Sequence, residues 1–235
     1  MKTLLTITMF LFMTGCETAQ QVLSGMNTGP GGLTSAEIAS GLKEALRIGT
    51  QNGAARLAAA DGFFTNAAIK ILMPEEARKV ESTLRSIGLG SLVDKAVLSM
   101  NRAAEDAAHS AAPIFVSAIK EMTITDAIGI LKGGDYAATN YFKEKTTLPL
   151  TNAFRPVIEK ALTKVDATKY WNDVFTAYNK FAANPVNTDL SAYVTERALT
   201  GIFYEVGQEE LKIRKDPAAR VTDLLKKVFG SNTQQ

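Results

Sequence analysis

The chain has one cysteine and one histidine. A single thiol excludes an internal disulfide, a redox dithiol and a thiolate zinc site. A single imidazole excludes every metal site built on several histidines. An excess of charge of either sign is also lacking: 26 basic side chains face 24 acidic ones, a formal net charge of +2. Binders of nucleic acid usually carry a strong basic excess, so no nucleic-acid partner is expected. No apolar run reaches the length of a membrane-spanning helix. Nucleophile elbows, zinc-protease helices, phosphate loops, dinucleotide fingerprints and calcium loops are all missing, so nothing implies a cofactor. What remains is a chain of 235 residues, 46% hydrophobic and 21% charged. Those values suit a folded domain with a real core and exclude disorder along its length.

The N-terminus reads as an address. Lys2 supplies a minimal positive region, and residues 4–13 form an uncharged apolar run. A run of about ten residues is too short to span a bilayer and fits the hydrophobic region of a signal peptide. It ends in Met13-Thr14-Gly15-Cys16, small residues before the sole cysteine, which is similar to a bacterial lipobox with Met13 where leucine is usual. We therefore expect residues 1–15 to be a lipoprotein signal peptide and Cys16 to be lipidated, with the membrane as partner through that anchor. More than one acyl chain on one residue makes such an attachment stable. Glu17, where an aspartate would resemble an inner-membrane retention signal, points to the outer membrane, facing the periplasm. Residues 16–33, rich in Gln, Ser, Asn and Gly, read as a flexible tether.

From residue 34 the pattern becomes helical. Thr34-Ser35-Ala36-Glu37 is a capping box, and Ile38, Leu42, Ala45, Leu46 and Gly49 recur on one face. Asp61-Gly62 breaks that helix, and residues 66–72 form at most a short one. Pro74 opens a helix carrying Val80, Leu84 and Ile87, which Gly88 and Gly90 terminate. Ser91 starts the next, with Val93, Val97, Met100 and Ala104 as its stripe. Pro113 opens a helix, and Thr125 or Asp126 caps a short one. Asp135 caps a helix over 136–145. Residues 148–165 read as a separate helix that Pro156 kinks or divides. Asp166 caps an aromatic-rich helix, Asp189 opens another, and Asp216-Pro217 starts the last. No segment alternates with period two. The expected fold is all-α: one multi-helix domain of about eight to ten helices over residues 34–230, with a disordered tail at 231–235. A faint echo at an offset of about fifty residues (Asn52, Ala68-Ile69-Lys70 and Met73 against Asn101, Ala118-Ile119-Lys120 and Met122) raises the question of a duplication.

Three constellations carry what chemistry there is. Asn101, Arg102, Glu105, Asp106 and His109 share one helix face, with Arg102/Asp106 and Glu105/His109 each four apart. Arg102, Glu105, Asp106 and His109 are thus weak catalytic candidates for acid–base work. The same face reads equally as solvated helix pairs, or as a buried ion-pair network, since Leu98 sits on it. Tyr170, Trp171, Phe175 and Tyr178 are weak ligand-binding candidates for a hydrophobic pocket, although aromatics at helical spacing are commonly core. Gly133-Gly134 ahead of a helix start can bind an anion or supply a positive-φ corner. Lys212, Arg214, Lys215, Lys226 and Lys227 read as solvated basic helix ends or a face toward anionic lipid.

Several segments carry a family resemblance. They are Gly41-Leu42-Lys43-Glu44-Ala45-Leu46, Asp61-Gly62-Phe63-Phe64, Asn101-Arg102-Ala103-Ala104-Glu105-Asp106-Ala107, Ile130-Leu131-x-Gly133-Gly134 with Ala138-Thr139-x-Tyr141-Phe142, and Ile213-Arg214-x-x-Pro217-Ala218-Ala219-Arg220 through Phe229-Gly230. Through them the chain resembles the bacterial domain-of-unknown-function family numbered forty-one ninety-seven. The resemblance implies one exported helical envelope domain, mostly from Gram-negative bacteria, and no activity, substrate or catalytic residue. The function expected is that of a lipid-anchored, non-enzymatic periplasmic binding or interaction module for an envelope protein. Alternatives are a carrier of a lipid or other hydrophobic ligand, and an enzyme using the Arg102/Glu105/Asp106/His109 face.

Overall fold

A computed structural model describes residues 33–180, 182, 185–220 and 222–230. The expected leader, Cys16, the tether before residue 33 and the tail at 231–235 lie outside the described residues. Among the described residues the fold is all-α, with nine helices and no strand. They are α1 (Ser35–Ala58), α2 (Arg78–Ser86), α3 (Gly90–Ala108), α4 (Ala111–Glu121), α5 (Ile124–Lys132), α6 (Ala137–Thr163), α7 (Ala167–Asn179), α8 (Leu190–Lys215) and α9 (Asp223–Gly230).

The capping box at Thr34 forms as expected: the Glu37 amide donates to Thr34 Oγ1 at 3.2 Å and the Thr34 amide donates back to Glu37 Oε2 at 2.8 Å. Ile38, Leu42, Ala45, Leu46 and Gly49 of α1 are buried together. Small residues set the approach distances here. A Cβ on Gly49 would sit 3.3 Å from Glu209 Cβ of α8, and one on Gly41 would sit 2.8 Å from Val228 of α9. The long helices α1, α3, α6 and α8 pack on one another, with α4 joining α1 and α6. At the centre Phe115 lies edge-on to Phe142 and Phe203, with ring centroids 5.2 and 6.3 Å away. Rings in such T-shaped contact add to the stabilisation from their burial.

The structure departs from the sequence reading at several boundaries. Residues 136–165 do not divide: α6 is one helix of 27 residues with Pro149 and Pro156 inside it. Its buried residues Phe142, Thr146, Leu150, Phe154, Ile158 and Leu162 repeat every four positions, while both prolines are exposed on the other side. The carbonyls that the prolines leave without a partner belong to Lys145 and Asn152, also exposed residues, where water can replace the lost bonds. The cap of α5 is Thr123, with Asp126 completing its box, in place of Thr125 or Asp126. Helix α4 begins at Ala111, so Pro113 sits within its first turn. Pro74 precedes a 3-10 turn (Glu75–Ala77) that leads into α2. Pro217 opens a second such turn (Pro217–Ala219) ahead of α9. Residues 67–69 are turn and 70–72 irregular, whereas Ala118-Ile119-Lys120 lies inside α4, so the second half of the internal echo has no structural counterpart.

Candidate functional site

The polar face of α3 is part buried and part solvated. Asn101 and Glu105 are buried, Glu105 to 3% exposure, while Asp106 and His109 are exposed. The two expected pairs are replaced by others. Arg102 bridges Glu105 at 2.6 Å and Asp61 at 2.7 Å. Those two hydrogen bonds, the Glu105 one foremost, raise the Arg102 pKa above its ordinary value. Glu105 Oε1 accepts the amides of Phe63 and Phe64 at 3.1 and 3.2 Å. Asn101 pairs with both backbone groups of Ile71: its Oδ1 accepts the amide at 2.9 Å and its Nδ2 donates to the carbonyl at 2.8 Å. These groups therefore clamp a non-helical segment that has no ladder of its own, leaving its buried amides satisfied. A buried polar network is thus present, holding a non-helical segment instead of a neighbouring helix.

The same segment is held from the other helices. Asn66 Nδ2 donates to Glu205 Oε1 at 3.1 Å, and Arg56 bridges Glu205 and Glu209, each at 2.9 Å. Tyr193 Oη donates to the Leu72 carbonyl at 2.8 Å. Phe63 is fully buried against α8, where a Cβ on Gly201 would fall 2.4 Å from its ring. Residues 61–73 are thus fixed at their start, middle and end.

That fixed segment forms one wall of a groove. Phe64, Lys70, Leu72 and Met73 face Arg78, Glu81 and Arg85 of α2 and Asp94 and Val97 of α3, around a volume of about 320 Å³. Helix α2 buries none of its residues and packs chiefly on α3 and the preceding turn. Arg85 is tied to Glu81 at 3.0 Å and to Asp94 at 2.9 Å, so it joins α2 to α3 across the groove's edge. Large apolar side chains are exposed around it: Ile87 (63%) and Leu92 (53%) at the α2–α3 corner, and Leu72 (55%) on the groove's wall. Exposed apolar surface beside a groove suits a contact surface. The sequence reading did not single out this corner. The available signal was Ile87, Leu89 and Leu92 around Gly88 and Gly90, apolar residues placed where a loop is usually polar.

The remaining candidates make contacts within the chain or face water. Trp171 and Phe175 are buried with centroids 4.4 Å apart, and Trp171 Nε1 donates to the Asn187 carbonyl at 2.8 Å. Tyr178 packs at the edge of Phe175, while Tyr170 is exposed. The helix start after Gly133-Gly134 does hold an anion, the chain's own Glu210. Its carboxylate accepts the Ala138 and Thr139 amides at 2.9 and 2.8 Å. Neither glycine of that pair has a positive φ; the described glycine that does is Gly88, at 84°. Arg214 is not a solvated basic spot. It bridges Glu210 at 2.8 Å and donates to the Ile130 carbonyl at 2.7 Å. Lys215 pairs with Asp135, and Lys226 with Asp223. No group of three or more His, Cys, Asp or Glu side chains is placed to hold a metal among the described residues. No described helix is long and apolar enough to cross a membrane.

Segments that carry the resemblance thus meet in pairs: 61–64 meets 101–107, and Arg214 of the 213–230 segment reaches the carbonyl of Ile130. The model of a family described as "Protein of unknown function (DUF4197)" matches residues 32–230, and the chain belongs to that family. No curated protein and no solved structure is significantly similar to it.

Proposed function

We propose that this protein is an exported, lipid-anchored envelope component that acts without catalysis, as a binding module. Its contact surface is the α2–α3 corner together with the groove behind it. The observation that carries the reading is the exposure of Leu72, Ile87 and Leu92, which flank α2, a helix without a buried residue among those described. Val80 and Leu84 of α2 turn to the core in the ordinary way of a surface helix. Large apolar side chains left in water at its flanks, beside a cleft, suit a contact surface. Two observations weigh against the alternatives. Glu105 and Arg102 are engaged with backbone amides, with each other and with Asp61, which ties up the two central members of that face. Trp171 and Phe175 fill their own site by packing on each other.

Two measurements test the proposal. Metabolic labelling with a fatty acid should mark the wild type and not a Cys16→Ala variant; an unmarked wild type removes the anchor. A photo-crosslinking residue at Ile87 or Leu92, activated in intact cells, should give discrete adducts with one envelope component. The same residue at exposed Lys160 on α6 should give none. Equal, diffuse adducts at all three positions would exclude the corner as the contact surface.

A further inference from the structure

We infer that the groove between residues 64–73 and the α2–α3 pair binds an anionic amphiphile, a carboxylate or phosphate head on a single apolar chain. This deepens the reading of that face as a binding surface and rests on it. Ligand sites are commonly clefts of about 300 Å³ or more with an apolar lining and a few placed polar groups. The groove has about 320 Å³, and Phe64, Leu72, Met73 and Val97 supply the apolar lining. Its charged groups decide the sign of the ligand. Both acids of the lining, Glu81 and Asp94, are bound by Arg85. Arg78 makes only a loose 3.7 Å contact with Glu75, both side chains being largely exposed. Lys70 is half-buried, and its ammonium lies 3.9 Å from the centre of the Phe64 ring rather than on a carboxylate. A partly desolvated ammonium held over an aromatic face is a receptor for an oxyanion. The apolar surface next to it accepts the chain attached to that oxyanion.

The site is built by the clamp. Glu105 holds the Phe64 amide, Asn101 holds Ile71, and Tyr193 holds the Leu72 carbonyl. The ligand-facing side chains are therefore fixed on a backbone that α3 and α8 position. This gives the buried polar face of α3 a purpose that neither solvation nor catalysis supplies.

The test uses the full chain in membranes of cells that produce it. A photoreactive long-chain carboxylic acid is added and activated, and labelled peptides are mapped by mass spectrometry. Label is expected on the peptides that contain Phe64, Met73 and Val97. Lys70→Glu should lower it at least about tenfold, the loss of one charge-assisted contact, and Lys70→Arg should keep it within about threefold. A chain-matched alkylammonium probe should leave those peptides unlabelled. Equal labelling by the two probes, unchanged labelling in Lys70→Glu, or competition by inorganic phosphate as strong as by the unlabelled acid overturns the inference. Discrete protein adducts at Ile87 without acid labelling at the groove overturn the ligand while leaving the binding surface standing.

Discussion

At the scale of single residues, five polar side chains share one face of α3 and have opposite fates. The difference lies in what covers each. Glu105 and Asn101 lie under residues 61–73, and Asp106 and His109 face water. Removing Glu105 strands two buried amides and one face of a guanidinium. Glu105→Ala should therefore cost about 2–4 kcal/mol in urea unfolding, whereas Asp106→Ala and His109→Ala should stay within about 0.5 kcal/mol. Similar losses for all three variants would mean that the clamp is not the reason for the buried carboxylate. The face itself was legible from spacing: polar residues at helical intervals, with Leu98 among them, announce that something covers it. Its partners were not legible. Asp61, Phe63, Phe64 and Ile71 lie thirty to forty-two residues away, and no local pattern encodes which loop a carboxylate will hold. The pairs that the four-residue spacing suggested lost to two backbone amides, because an unpaired buried amide costs more than an exposed ion pair returns.

At the scale of elements, helix type and order followed from apolar periodicity and capping residues, and the errors fell where one rule outvoted another. Two prolines argue for a break in α6, yet the four-residue seam from Phe142 to Leu162 holds the helix together on its dry side. Its N-terminus carries no side-chain cap of its own at Tyr136. Glu210 from α8 takes that place, and Arg214 one turn later takes the end carbonyls of α5. One ion pair thus meets the positive end of one helix and the negative end of another, each with the favourable sign. Glu210→Ala should leave Arg214 buried without its counter-charge and unfold the protein about 3–5 kcal/mol earlier on a denaturant scale. Glu210→Gln should recover part of that loss by accepting the same amides. The α5 cap behaves differently. The Thr123 amide and then its hydroxyl hold the Asp126 carboxyl below its ordinary value. A depressed carboxyl contributes stability above its unfolded pKa and loses it as pH falls through the folded one. The gap in melting temperature between wild type and Asp126→Asn should accordingly shrink from neutral pH toward about pH 3. A gap that widened on acidification would reverse the sign of this linkage.

At the scale of the molecule, stability is unevenly spread, and its weak end coincides with the proposed contact surface. Helices α6 and α8 bury long seams against each other and against α3, and α8 also packs on α1. Helix α2 buries nothing; only Val80 and Leu84 lean on the core. It begins after Pro74 and ends at Gly88, whose positive φ turns the chain into α3. Opening this helix would expose little apolar area, so it should open alone, well below the free energy of global unfolding. Amide exchange of residues 78–86 is then expected to run orders of magnitude faster than that of the buried stretch of α8 from Val194 to Val206. Arg85 is the tie across the groove, but its partners are partly solvated, and such a bridge contributes about 1 kcal/mol at most. Arg85→Ala should thus speed exchange in 78–86 by no more than about fivefold and leave α8 unchanged. Exchange of 78–86 at the same rate as α8, in wild type and variant alike, would make α2 part of the cooperative core. The groove would then be a rigid cleft. With local opening, α2 is a door beside the exposed Leu72, Ile87 and Leu92.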